Sequence, residues 1–261
     1  MTILDKIIEQ KKTEVFNSKK NIPVSELEKS PLFRRTCISL KNNLLNTDTG
    51  IISEFKRKSP SLGWIHENAN VISVTSGYST AGASGISILT DTEFFGGSLQ
   101  DLKSARSGVN CPILRKDFVI DEYQLYEAKA MGADVILLIA AAALKAEQTL
   151  KLAEKAHELG LEVLLEVHNA EELIHANDSV DMLGVNNRNL KTFEQSIQTS
   201  FDLATLIPDK FVKVSESGIS SVETVKELRK VGYKGFLMGE NFMKTEDPAI
   251  ALKNFIAGLR T

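Results

Sequence analysis

Cysteine is scarce in this chain. Cys37 and Cys111 are the only two among 261 residues, too few and too far apart for a disulfide framework. The four histidines (His66, His157, His168 and His175) make no HxxxH or Cys/His ligand spacing, so a metal site has no support. Nowhere do apolar residues run on for the roughly 18 that a membrane-spanning helix needs. The opening stretch, Met1-Thr2-Ile3-Leu4-Asp5-Lys6-Ile7-Ile8-Glu9, carries acids where a secretory segment would be apolar, so a cytoplasmic protein is expected. A net charge of −3, with Lys and Arg scattered, leaves no electrostatic footprint for nucleic acid. A small phosphate ligand remains compatible with that charge. No GxGxxG follows the first strand, which argues against a doubly wound dinucleotide-binding sheet, and no cofactor is expected.

What is present is an ordinary globular balance, 43% hydrophobic and 25% charged. The length suits one α/β barrel of about 250 residues. Residues 3–16 place Ile3, Leu4, Ile7, Ile8, Val15 and Phe16 broadly on one side of a helix. Pro23 and Pro31 bracket a second short helical stretch, and a polar segment from Lys41 to Asp48 leads into the first strand. Residues 1–48 thus form an N-terminal helical extension, and residues 49–261 complete a barrel without it. From Gly50 on, short apolar runs alternate with helical ones. Strands are expected at 50–57, 85–90, 112–117, 133–139, 161–167, 181–187, 211–216 and 234–239. Helices are expected near 69–81, 98–107, 121–131, 144–159, 169–177, 199–206, 220–231 and 247–259. Runs such as Val135-Ile136-Leu137-Leu138-Ile139 are apolar throughout, as parallel strands buried on both faces require. Gly132, Gly160 and Gly232 each end a helix before a strand. Eight strand–helix units without a Pro-, Gly- or Ser-rich linker predict a single (β/α)8 TIM barrel.

In such a barrel chemistry sits at the C-terminal ends of the strands. Strand one ends with Glu54 and Lys56 on one face, and strand three ends at Lys116. Strand five ends at Glu166, strand six carries Gly184, Asn186 and Arg188 on one face, and strand seven delivers Glu216 and Ser217. A solvated strand end accounts for any one of these charges, but five strands converging do not fit that account. A structural ion-pair ring around the mouth stays open as the alternative. Lysines alternating with glutamates in one pocket split their pKa values, a device for acid and base steps at neutral pH. Lys116, with Phe118 two residues on, reads as a general acid whose pKa is lowered by burial. Ser217-Gly218-Ile219-Ser220-Ser221 and Met238-Gly239-Glu240-Asn241 supply glycines and helix starts on adjacent strands, where this fold holds phosphate. The loop Arg57-Lys58-Ser59-Pro60-Ser61-Leu62-Gly63-Trp64 has the hinges of a lid or of a plain surface turn. Phe94-Phe95-Gly96-Gly97-Ser98 puts aromatics at the rim.

Taken in order, Glu54-Phe55-Lys56-Arg57-Lys58-Ser59-Pro60-Ser61, Ser87-Ile88-Leu89-Thr90-Asp91, Phe94-Phe95-Gly96-Gly97-Ser98, Leu114-Arg115-Lys116-Asp117-Phe118, Leu165-Glu166-Val167-His168, Gly184-Val185-Asn186-Asn187-Arg188-Asn189-Leu190, Ser215-Glu216-Ser217-Gly218-Ile219 and Met238-Gly239-Glu240 resemble the indole-3-glycerol phosphate synthases of tryptophan biosynthesis. The resemblance implies a decarboxylating carbon–carbon lyase that closes the ring of 1-(2-carboxyphenylamino)-1-deoxyribulose 5-phosphate, losing carbon dioxide and then water. It implies Lys116 as general acid, Glu166 as acid or base in dehydration, and Lys56 and Glu54 completing the cluster. Ser59, Asn186, Arg188, Glu216 and Ser217 would line the substrate pocket, with Phe95, Phe118, Leu137 and Leu190 as apolar walls. Lys56, Gly218, Gly239 and the amide of Glu240 would take the phosphate. The extension would cap the barrel mouth. Leu62 stands where many relatives have Lys, and Glu240 where some have Ser. The expected partner is a small-molecule substrate, with no nucleic acid or membrane, for a monomer that other tryptophan-pathway enzymes could join. Another phosphate-binding barrel enzyme, such as phosphoribosylanthranilate isomerase, or a non-catalytic scaffold stays open at this point.

Overall fold

The computed structural model describes residues 2–142, 145–190 and 192–261. Eight parallel strands close into a barrel: β1 (Ile51–Phe55), β2 (Gly85–Leu89), β3 (Ile113–Lys116), β4 (Val135–Ile139), β5 (Glu162–Val167), β6 (Met182–Asn186), β7 (Val212–Glu216) and β8 (Tyr233–Met238). Each pairs with its neighbours in sequence, and β8 returns to β1 through Ile51, Ile52 and Ser53 against Phe236, Leu237 and Met238. Period-two alternation divides the strands' side chains. Ile52, Leu114, Leu137, Leu164, Met182, Val214 and Leu237 fill the barrel interior. Ile86, Ile88, Ile136, Leu138, Val163 and Leu165 pack outward with the helices.

That outer layer consists of α4 (Val71–Ala81), α5 (Leu99–Arg106), α6 (Tyr123–Ala130), α7 (Ala146–Glu158), α8 (Gln198–Ala204), α9 (Val222–Lys230) and α11 (Pro248–Arg260), with a four-residue α10 (Glu240–Met243) ahead of α11. Capping residues set several starts. Asn70, Ser98, Ser221 and Asp247 each accept from a first-turn amide. One of the expected helices needs correction. The helix expected at 169–177 is only a 3-10 turn, Glu171–His175. The expected start of a helix at 144 falls outside the described residues, and α7 begins at Ala146.

The extension runs from one end of the barrel to the other. Helix α1 (Ile3–Asn21) opens with a capping box between Thr2 and Asp5 and lays Ile7 and Ile8 on the interior cluster at the C-terminal rim. It continues beside α6, where Val15 packs with Leu27, Tyr123 and Ala130 and the Tyr123 hydroxyl donates to the Ser18 and Ile22 carbonyls. After α2 (Val24–Leu27), Arg35 and the Ile38 amide both donate to Asp134, just before β4. The polar segment that leads into β1 begins as helix α3 (Leu40–Leu45). Polarity hid it because its support is tertiary. Glu162, at the start of β5, accepts from the Ser39 hydroxyl and from the Leu40 and Lys41 amides. Leu40 and Leu44, each 1% exposed, fill the N-terminal end of the barrel. Each is worth roughly 1.5–3 kcal/mol when fully buried. The extension therefore belongs to the barrel's own core at that end.

Electrostatics fasten the other end. Lys11 of α1 is buried, with Nζ 3.1 Å from Asp91 and 2.9 Å from Asp117, the residues just beyond β2 and β3. Burial alone would lower its pKa, but Asp117 and Asp91 outweigh that and the net displacement is upward. Asp117 also meets Arg115 at 3.0 Å, and its pKa is driven below the usual carboxylate range. Replacing Lys11 by Met keeps the volume, strands the buried Asp91 and leaves Asp117 with Arg115. Breaking a buried pair from one side costs about 3–5 kcal/mol. Lys11→Met should lose that much in denaturant unfolding, whereas the exposed Lys12→Met should change little; equal midpoints for the two variants would refute a structural role for Lys11.

Candidate active site

At the C-terminal ends of the strands lies a cavity of about 340 Å³. Its floor is a cluster of charges. The Lys116 ammonium from β3 sits 2.6 Å from Glu166 Oε2 of β5 and 3.2 Å from Glu216 Oε2 of β7. Asn186 of β6 donates to the other Glu166 oxygen at 2.9 Å. Beside them Lys56 Nζ is 2.8 Å from Glu54 Oε1. All five strand ends point these groups inward for the same reason. Each lies an even number of residues from a barrel-filling side chain, as Glu54 does from Ile52 and Glu216 from Val214.

Absent side chains make the room. A Cβ on Gly184 of β6 would lie 2.3 Å from Glu216 Oε1, and one on Gly239 would lie 2.6 Å from Glu54 Oε1. Any larger residue at either place would displace a carboxylate. After β7 the chain turns through two consecutive residues with positive φ, Ser217 at 65° and Gly218 at 72°. For serine this is a strained conformation. Asn187 holds it. Its amide donates to the carbonyls of Glu216 and Ser217 and to the Ser215 hydroxyl, while its oxygen accepts from the Ser200 amide and hydroxyl.

The walls are apolar on one side. Phe95 and Phe118 face each other with ring centroids 6.0 Å apart, joined by Leu137 and Leu190. Opposite them lie Gly218, Gly239 and Glu240, with Lys244 nearby. Ser59 and Ser61 reach the cavity from a small hairpin that pairs Lys58 and Ser59 with Gly63 and Trp64. Arg188 ties this loop across the mouth, donating to the Ser61 hydroxyl at 2.9 Å and lying 3.6 Å from Glu240. Leu62 is exposed and does not line the cavity. Ile3, Leu4 and Ile7 of α1 complete the rim.

Every residue given a catalytic, substrate or phosphate role from the sequence lines this cavity. Sequence reasoning missed Asn187 and His168. Asn187 and His168 lie inside quoted motifs, but their roles depend on neighbours distant in sequence. One electrostatic expectation is overturned. Burial does pull the Lys116 pKa down, but Glu166, Glu216 and Glu54 outweigh it, and the ammonium is held above its ordinary value. The two carboxylates on Lys116 differ. Against burial, Lys116 and His168 hold Glu166 well below the usual carboxylate range. Glu216 is pushed up to about 7, first by burial and then by the Glu166 charge, with Lys116 pulling the other way.

The family model for indole-3-glycerol phosphate synthase matches residues 4–255. The chain belongs to that family. A protein of this name from Bacteroides thetaiotaomicron is 53% identical over 258 residues, covering 99% of each chain. Another, from Polynucleobacter asymbioticus, is 42% identical over 265 residues, covering 98% of this chain and 99% of that one. Among solved structures, thiamine phosphate pyrophosphorylase from Pyrococcus furiosus superposes with a TM-score of 0.61 at 17% identity, over 85% of this chain and 98% of that one. A 3-hexulose-6-phosphate synthase from Salmonella typhimurium gives 0.61 at 13% identity, over 80% and 99%. At such identities the likeness is one of fold. The synthase family is shown by the sequence matches. No helix among the described residues is long and apolar enough to cross a membrane.

A carboxylic acid whose folded pKa is raised stabilises the fold fully below its unfolded value, here 4.5, and that contribution is lost as pH rises through about 7. The Glu216 carboxyl should accordingly titrate near 7 by carbon-13 NMR. In Lys116→Met the midpoint should move higher, because the one cation pulling it down has gone. An ordinary carboxylate midpoint in the unsubstituted protein would contradict this assignment.

Proposed function

We propose that this chain closes the ring of 1-(2-carboxyphenylamino)-1-deoxyribulose 5-phosphate, releasing carbon dioxide and then water to give indole-3-glycerol phosphate. The observation that carries this reading is the Lys116 ammonium held between two unlike carboxylates, with an aromatic wall on one side and two glycine turns on the other. Family membership supports it independently.

Ring closure turns the ribulose carbonyl oxygen toward an alkoxide. Lys116 supplies positive charge and a proton there. Its raised pKa keeps it fully loaded at neutral pH, so transfer follows the growth of negative charge on that oxygen. Loss of carbon dioxide restores the aromatic ring, and dehydration then needs one group to protonate the departing hydroxyl and another to accept a proton. Glu166 takes part in that step, with Lys56 and Glu54 completing the cluster. Asn186 and Glu216 position the substrate's polar edge, while Arg188, Ser59 and Ser217 close on it from the rim. Phe95, Phe118, Leu137 and Leu190 hold the anthranilate ring. Lys56, Gly218, Gly239 and the Glu240 amide hold the phosphate, where backbone N–H groups converge on an anion. The enzyme works as a cytoplasmic monomer, a setting that its two unpaired thiols suit. Association with other enzymes of the tryptophan pathway is compatible with this reading.

The test is direct. Purified protein given the carboxyphenylamino-deoxyribulose phosphate should develop indole fluorescence; an isomerase or a scaffold would leave the signal flat. Lys116→Met should lower turnover by at least about 10²-fold, the usual cost of losing a positioned acid. Turnover within threefold of the unsubstituted enzyme, in a folded variant, would remove Lys116 from the role.

The extension caps this site as part of the same proposal, through Ile3, Leu4 and Ile7 on the cavity rim. Because Lys11 and α3 carry structural duties, the informative truncation removes only residues 1–5. Substrate affinity should weaken while the unfolding midpoint stays near that of the full chain. An unchanged Michaelis constant would assign α1 to stability alone.

A further inference from the structure

His168, one period beyond Glu166 on β5, lies behind the charge cluster, with a side chain only 11% exposed. Its Nε2 is 3.3 Å from Glu166 Oε1, the oxygen that also accepts from Asn186. Its Nδ1 is 3.1 Å from Glu172 Oε2 on the 3-10 turn. Glu172 is itself fixed. The same oxygen accepts the His168 amide at 2.8 Å, while Asn169 donates to the other oxygen and accepts the Glu172 amide. The imidazole therefore sits between two carboxylates: Nδ1 is hydrogen-bonded to Glu172, whereas Nε2 meets Glu166 as a close charge contact without hydrogen-bond geometry. Among the described residues no equivalent group stands behind Glu216, whose Oε1 is buried without a hydrogen-bond partner.

We propose that His168 is a positioning residue that breaks the symmetry between the two carboxylates on Lys116, its imidazolium holding Glu166 as an oriented anion and leaving Glu216 as the carboxyl that carries a proton. Glu172 acts through His168, fixing the ring and its charge. The charged groups facing His168 are Glu166 from β5 and Glu172 from the 3-10 turn, with Lys116, Glu216 and Glu54 lying beyond Glu166. Burial lowers the His168 pKa, but the two glutamates outweigh it and raise it to about 9. Two like acids pushed apart by unlike surroundings are the usual way to divide acid and base duties in one pocket. This rests on the proposed ring-closure activity only for its kinetic readout, and the titrations below need no substrate.

The test uses His168→Gln, which keeps a donor and removes the charge. By NMR the Glu166 carboxyl should titrate higher by about one to three units, the usual effect of losing an adjacent cation. The Glu216 midpoint should stay near 7, because Glu166 is still ionised there, so the gap between the two narrows from the Glu166 side. The acidic limb of the turnover–pH profile should move up with Glu166, while the Michaelis constant changes little. Should that variant not fold, Glu172→Gln leaves His168 and Glu166 in place, and the imidazole midpoint should drop from about 9 toward 6.5. A histidine that merely supports the fold would shift the unfolding midpoint and leave both carboxyl titrations and the pH limb where they were; that result overturns the proposal. Unsubstituted enzyme without turnover would overturn the ring-closure activity instead, with the carboxyl titrations still deciding the role of His168.

Discussion

Lys116 brings one positive charge to a floor that also holds Glu54, Glu166 and Glu216, and the local structure follows from that imbalance. A single ammonium cannot satisfy three buried carboxylates. Lys56 takes Glu54, His168 and Asn186 stand behind Glu166, and Glu216 is left to hold a proton near neutrality. The glycines are part of the same solution. Gly184 and Gly239 provide the space in which Glu216 and Glu54 fit beside the lysines. Such a floor can favour one proton location over another because its members sit in unlike surroundings despite their like chemistry.

Around that floor the extension performs two jobs that one polypeptide segment seldom combines. Its first helix places Lys11 against Asp91 and Asp117, next door to Lys116. Without that cation Asp91 would add uncompensated negative charge close to the cluster. Its third helix meets the opposite end of the barrel through Leu40 and Leu44. Arg35 and Arg106 share Asp134 between those ends, pinning the descending stretch to the start of β4. The N-terminal segment is thus tied into both the electrostatics of the mouth and the packing of the base.

The barrel was legible because its signals are local. Continuous apolar strands, helix-ending glycines and strict alternation required no knowledge of the third dimension. The site residues were legible for a related reason. Strand ends converge in this fold, so Glu54, Lys116, Glu166, Asn186 and Glu216 meet once the strands are placed. What the sequence concealed depends on partners far along the chain. Helix α3 looks like a polar linker until Glu162 is seen to accept its first amides. Burial of Lys116 suggested a lowered pKa, but the sign is set by three carboxylates whose distances only the fold specifies. His168 looked like the tail of a motif until Glu172 and Glu166 appeared on either side of it.

The route of the extension also has a consequence for biosynthesis on the ribosome. Its stretch just before β1 is fastened by residues made much later. Leu44 packs close to Gly235, Arg229 donates to the Asp48 and Thr49 carbonyls, and Arg260 pairs with the Asp48 carboxylate. Leu40, Leu44, Ile7 and Ile8 leave the exit tunnel early, yet their burial sites are incomplete until most of the barrel has followed. For that interval the nascent chain carries an apolar segment with nowhere to dock, the kind of surface that invites aggregation or a chaperone. This segment, made ahead of the barrel, reaches its place only once the barrel has followed.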